Sequence, residues 1–180
     1  MPTEILIKSA TPIVWADVTD YAGDLGTRTD QIDLTSLATV SARQGDKKDL
    51  GAVRAALYSV TLGIEAQVAP VSGAIVSLWW APSPAAGAAV ANPGGIVGAD
   101  GPYTGTASDA LADAILQLTL IGNLVVTSDG PAITQFETFI FAPEHRYGTP
   151  VVYNETLQSL NTTDAIEMGI AFTPIIDEAQ

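Results

Sequence analysis

The sequence contains no cysteine, which excludes a disulfide framework, thiolate catalysis and any thiolate-bound metal. Its single histidine, His145, leaves a histidine-built zinc site without partners. Basic residues are scarce: 7 Lys plus Arg stand against 20 Asp plus Glu, a formal net charge of −13. A chain this acidic repels nucleic acid and anionic membranes, so neither is an expected partner. No stretch approaches the roughly 18 uninterrupted apolar residues of a membrane-spanning helix. The opening Met1-Pro-Thr-Glu carries an acid where a signal peptide needs basic residues. A soluble, unprocessed protein is expected.

What is present points to a packed core. Charged residues make up only 15% of the chain and hydrophobic residues 47%, the reverse of a disordered composition. With 180 residues the chain can bury a sizeable core as one domain, without metals or disulfides. Residues 1–50 stand apart. They hold short apolar runs at Ile5–Ile7 and Ile13–Trp15, then Asp17, Asp20, Asp24, Asp30 and Asp33 among Gly and Thr. They are read as an N-terminal arm and loops that pack on the domain or on a neighbouring subunit, with 51–180 as the β-sandwich.

From residue 55 a period of two sets in. Tyr58, Val60, Leu62 and Ile64 alternate with Ser59, Thr61 and Glu65, the signature of a half-buried strand. Pro70-Val-Ser-Gly turns the chain, and 74–81 returns with Val76, Leu78 and Trp80 on one face and Ile75, Ser77 and Trp79 on the other. Residues 81–108, rich in Pro and Gly, read as a long loop of the kind that is functional or disordered. Ser108–Leu116 suits a short helix capped by Ser108. Further strands are expected at 118–127, with a bulge at Gly122-Asn123, and at 133–141, 149–154 and 165–173. In the last, Ile166, Met168, Ile170 and Phe172 share a face. Strands between turn signals with almost no helix argue an all-β, two-sheet antiparallel sandwich, jelly-roll-like, with one short helix.

Chemistry is harder to find. His145 beside Glu144 could act as a base, but no nucleophile motif such as G-x-S-x-G accompanies it; a polar loop pairing Glu144 with Arg146 is the plainer reading. The N-terminal acids lack EF-hand spacing and read as a solvated loop, with calcium left open. Asn92-Pro-Gly-Gly lacks the Lys-Ser/Thr of a phosphate loop. Asn154-Glu-Thr and Asn161-Thr-Thr match glycosylation acceptors and are read as coincidental. No enzyme activity, cofactor, metal or small-molecule ligand is expected. Two features suit protein contacts. Four basic residues, Arg43, Lys47, Lys48 and Arg54, gather within twelve positions, either as a solvated loop or as a docking point for an acidic neighbour. Trp79, Trp80 and Tyr103, near Pro82, Pro84, Asn92 and Pro93, could form an interface or a sugar platform.

Several runs resemble a known family. They are Ser41-Ala-Arg-Gln-Gly-Asp-Lys-Lys-Asp-Leu-Gly-Ala, Leu78-Trp-Trp-Ala-Pro-Ser-Pro, Asn92-Pro-Gly-Gly, Tyr103-Thr-Gly and Phe141-Ala-Pro-Glu-His-Arg-Tyr-Gly, then Asp164-Ala-Ile-Glu-Met and Phe172-Thr-Pro-Ile-Ile-Asp-Glu. Together they resemble small virion structural proteins of tailed bacteriophages and prophages, over about residues 41–178. The resemblance implies a jelly-roll cement or decoration protein, made in the host cytoplasm and carried on the capsid exterior. Its implied partners are the major capsid protein and copies of itself, a trimer being one such homo-oligomer. A tail, fibre or head–tail joining component, or a carbohydrate-binding host-attachment module, are the alternatives.

Overall fold

The computed structural model describes residues 5–128, 130–131, 133–162 and 167–179. Among the described residues, twelve strands carry the fold: β1 Ile5–Ser9, β2 Ile13–Ala16, β3 Asp30–Gln31, β4 Ser41–Gln44, β5 Lys48–Asp49, β6 Leu57–Glu65, β7 Ile75–Ser83, β8 Gly101–Tyr103, β9 Thr119–Val125, β10 Thr134–Phe141, β11 Tyr147–Asn154 and β12 Gly169–Ala179. One helical turn, α1 Leu111–Ala114, precedes β9. The strands form two sheets. The first runs β10-β6-β12-β2-β3, with β1 also on β12, and the second runs β8-β4-β11-β7-β9, with β5 also on β11. This is the all-β two-sheet sandwich that the alternating pattern predicts.

Alternation decides which residues meet between the layers. In β6, Tyr58, Val60, Leu62 and Ile64 point inward; in β7, Val76, Leu78 and Trp80 do; in β12, Ile170 and Phe172. Phe172 lies at the centre. Its ring is 5.0 Å from Trp15, 5.1 Å from Trp80 and 6.0 Å from both Tyr58 and Phe141, centroid to centroid. Trp80 comes from the second sheet and the other rings from the first, so tilted and edge-on aromatic packing couples the layers. Gly148 permits it: a Cβ there would stand 2.2 Å from the Trp80 ring.

Several expectations need correction. Residues 13–50 are not an arm or a set of overlying loops. β2 pairs with β12 and β3, while β4 and β5 both pair with β11, so this segment enters both sheets. These strands are two to four residues long, too short to show a period in the sequence. The helix begins at Leu111 rather than after Ser108, because Thr106 Oγ1 accepts the N–H groups of Ser108 (3.2 Å) and Asp109 (2.8 Å) and closes a turn there. The β9 irregularity falls one residue early: Leu78 pairs with Gly122 and Trp79 with Leu120, leaving Ile121 as the extra residue. The last strand starts at Gly169, and Ile166 lies outside the described residues.

Truncating Phe172 to alanine removes a ring that touches four others. It should lower unfolding free energy by about 3–5 kcal/mol, as large aromatic deletions do, in urea titrations followed by tryptophan fluorescence.

Candidate interaction surface

An inward Trp80 forces Trp79 outward, so the outer face of the second sheet is apolar and requires cover. Residues 83–118 supply it. Ile96, Tyr103, Ala114, Ile115 and Leu118 pack with Ala42, Ala81 and Val151 into a second cluster, which Trp79, Leu111 and Tyr153 flank. The Pro/Gly-rich stretch is therefore an ordered lid. It holds no charged residue from Ala81 to Ala99.

The basic cluster fastens this lid instead of facing outward. Lys47 Nζ donates to Ser83 Oγ (2.7 Å), Gly87 O (2.9 Å), Val90 O (2.9 Å) and Asn92 Oδ1 (2.8 Å). All four acceptors are neutral, and burial pushes the Lys47 ammonium below its ordinary pKa. Asn92 continues the link, its Nδ2 donating to Ala88 O (2.6 Å) and Ile96 O (2.9 Å). Pro93 follows at the start of a 3-10 turn. Arg43 grips Asp100 through Nε (2.8 Å) and Nη2 (2.5 Å), and this pair holds the guanidinium above its ordinary pKa. Asp100 in turn donates its N–H to Asp46 Oδ1 (3.0 Å), and Asp33 donates its N–H to Asp100 Oδ1 (3.1 Å). Lys48 Nζ meets Asp30 Oδ2 at 2.7 Å. Arg54 remains exposed, with Nη2 on Glu144 O at 3.1 Å.

Other expected sites come apart. Trp80 and Tyr103 are buried, and the Tyr103 hydroxyl donates to Gly94 O at 2.7 Å. They cannot serve as contact aromatics or as a sugar platform. Only Trp79 reaches the surface, its Nε1 donating to Ser77 Oγ (2.9 Å), which donates to Glu155 Oε2 (3.0 Å). Arg146 takes Asp49, with two 2.6 Å bonds, in place of Glu144. That contact pulls the Asp49 carboxyl below its ordinary pKa. Asn154 and Asn161, in the two acceptor motifs, are buried, bonding Leu37 O (2.9 Å) and Glu65 Oε1 (2.7 Å). Among the described residues no group of three His, Asp or Glu is placed to hold a metal ion.

Among the described residues, two exposed apolar groupings stand out. One is the lid's tip, where Pro84, Ala86, Ala88, Ala89, Val90 and Ala91 are exposed, while Pro82 behind it pairs with Gly148. The other is the flank formed by Leu120 and Val125 of β9 with Phe136 and Ile140 of β10, all at least 45% exposed. The sequence pattern puts Phe136 and Ile140 on one face of a strand but does not say that this face looks outward, because the opposite face holds both Glu137 and two phenylalanines.

These features define an acidic β-sandwich with an uncharged projecting tip, fastened by Arg43 and Lys47. The chain matches no protein-family model, no curated protein and no solved structure.

Replacing Lys47 with methionine should remove the donor that ties Ser83, Gly87, Val90 and Asn92 together. Amide hydrogen exchange across 84–92 should speed by tenfold or more, at a stability loss of about 1–3 kcal/mol. Burial also raises the Tyr103 phenol from 10.0 to about 12. A raised folded-state pKa stabilises the fold fully below pH 10.0, and that contribution is lost as pH climbs toward about 12. Denaturant titrations should show it, and Tyr103→Phe should remove that part of the pH dependence.

Proposed function

We propose that this chain is a bacteriophage virion structural protein, a cement or decoration protein bound to the outer surface of the major capsid lattice. The observation that carries the reading is the lid: an uncharged apolar tip at 84–91, held in place by Lys47. A pre-ordered tip loses little conformational entropy on docking, so modest contact area yields useful affinity. Many weakly bound copies on a repeating lattice add up to shell stabilisation through multivalency. The net charge of −13 suits a position outside a DNA-filled shell, where affinity for the packaged polymer would be a hindrance. The resemblance over residues 41–178 supports the same reading. A carbohydrate-binding module is disfavoured by the burial of Trp80 and Tyr103, two of the three aromatics it would use. A tail or head–tail joining role would use the same surfaces at a different location.

Electron cryomicroscopy of the virion that carries this protein tests the proposal. Density for the sandwich should bridge neighbouring major capsid subunits, with the 84–91 tip at the contact. Density confined to the tail or portal would overturn the decoration role, and absence from the particle would overturn the virion reading altogether.

A further inference from the structure

We infer that the free edge of β10 pairs with the same edge of a second copy, forming a two-fold dimer with a continuous sheet. Backbone geometry shows which groups lie open. Ala10 N–H bonds Pro174 O at 3.0 Å, so the Pro174 backbone faces β1, and its β6 partner Tyr58 directs its own groups toward β10. Alternation then sends Gln135, Glu137, Phe139 and Phe141 to β6 and turns the N–H and C=O groups of Phe136, Thr138 and Ile140 to the open edge. The Thr138 N–H agrees, since it reaches only as far as its neighbour's Glu137 Oε1, at 3.4 Å.

Edge strands are ordinarily blunted by brevity, proline, lysine or a bulge. The other edges here follow that rule. β3 has two residues, β8 has three and includes Pro102, β1 has five and includes Lys8, and β9 is bulged at Ile121. β10 is eight residues of regular pairing with no proline, glycine or lysine.

The occupant follows from the strand's own symmetry. Centred on Thr138, an antiparallel pair sets Phe136 opposite Ile140 of the second copy, Ile140 opposite Phe136, and Thr138 opposite Thr138. The two exposed apolar residues, 48% and 64% accessible, then cover each other. Glu137 falls opposite Phe139, and the two Glu137 carboxylates sit on the diagonal, about 7–8 Å apart at their backbones, where repulsion between water-exposed charges is weak. On the order of six backbone hydrogen bonds would form. The inference concerns the isolated chain and stands independently of the virion proposal.

Sedimentation velocity from about 1 to about 100 μM should show mass rising from the 18.6 kDa chain to twice that value. Ile140→Lys should weaken association at least tenfold, with the monomer's circular dichroism and melting unchanged. The cysteine-free background permits a register test. Thr138→Cys should form a symmetric disulfide on mild oxidation, because hydrogen-bonded partners lie about 5.5 Å apart at Cα. Phe136→Cys alone should not cross-link, whereas its mixture with Ile140→Cys should. A monomer at every concentration would overturn the inference, as would an oligomer that survives Ile140→Lys and forms no disulfide at position 138.

Discussion

The contact of Phe172 with the Trp80 ring, 5.1 Å between centroids, is the constraint from which the rest of the architecture follows. It draws Trp80 into the space between the sheets, and strand geometry then turns Trp79 to the opposite face. That outward ring, beside Ala81 and Val151, makes the outer face of the second sheet too apolar to leave in water. The cover of residues 83–118 is the consequence. Its middle has no charges and many glycines and prolines, so it cannot hold itself by helix or sheet, and polar side chains from the 43–48 segment anchor it. Trp15 belongs to the same arrangement, since its Nε1 donates to Asp46 O at 2.8 Å while its ring packs on Phe172. One aromatic cluster thus positions both the core and the segment that anchors the lid.

This arrangement explains how an acidic chain uses its few cations. Arg43, Lys47, Lys48 and Arg146 each engage loop or strand partners of the same chain. Exposed ion pairs such as Arg146–Asp49 contribute little individually. The Lys47 cluster differs in kind, because one ammonium satisfies three separate lid residues and an asparagine that itself organises the turn. The two-pronged Arg43–Asp100 contact adds directional restraint through paired bonds. With Arg43, Lys47 and Lys48 engaged by partners of the same chain, the acidic excess stays largely uncompensated at the surface. An unbalanced surface charge of this kind resists nonspecific association.

How much of this was legible in the sequence depended on the length of each element. β6 and β7, nine residues each, show their alternation plainly, and the opposed tryptophans follow from it. β2 and β4 have only four residues, and their partners β12 and β11 lie more than a hundred positions downstream, so local pattern carries no trace of the pairing. The basic cluster was visible as composition, yet its direction was not: Lys47 finds its acceptors 36 to 45 residues away. Tyr103 sits in a glycine-rich stretch that suggests exposure, and only the lid's packing reveals its burial. The segment before α1 misled for a chemical reason: Thr106 Oγ1 takes the N–H groups of Ser108 and Asp109 into a turn, and the helix then starts with Ala110 as N-cap and no side-chain cap.

The open surfaces belong to different layers. The tip is part of the lid over the second sheet, whereas the β10 edge closes the first. Occupying one does not consume the other, so a single copy can self-associate and still present its tip. Two-fold symmetry makes the patch on each copy identical, and a closed pair then carries two tips in fixed relation. Such a pair would bind a repeating target with an effective concentration set by the rigid sandwich instead of a flexible linker, which would strengthen attachment only where the target's spacing matches. Under the proposed role, selectivity for an ordered lattice over scattered subunits would arise from geometry, without requiring high affinity at either tip.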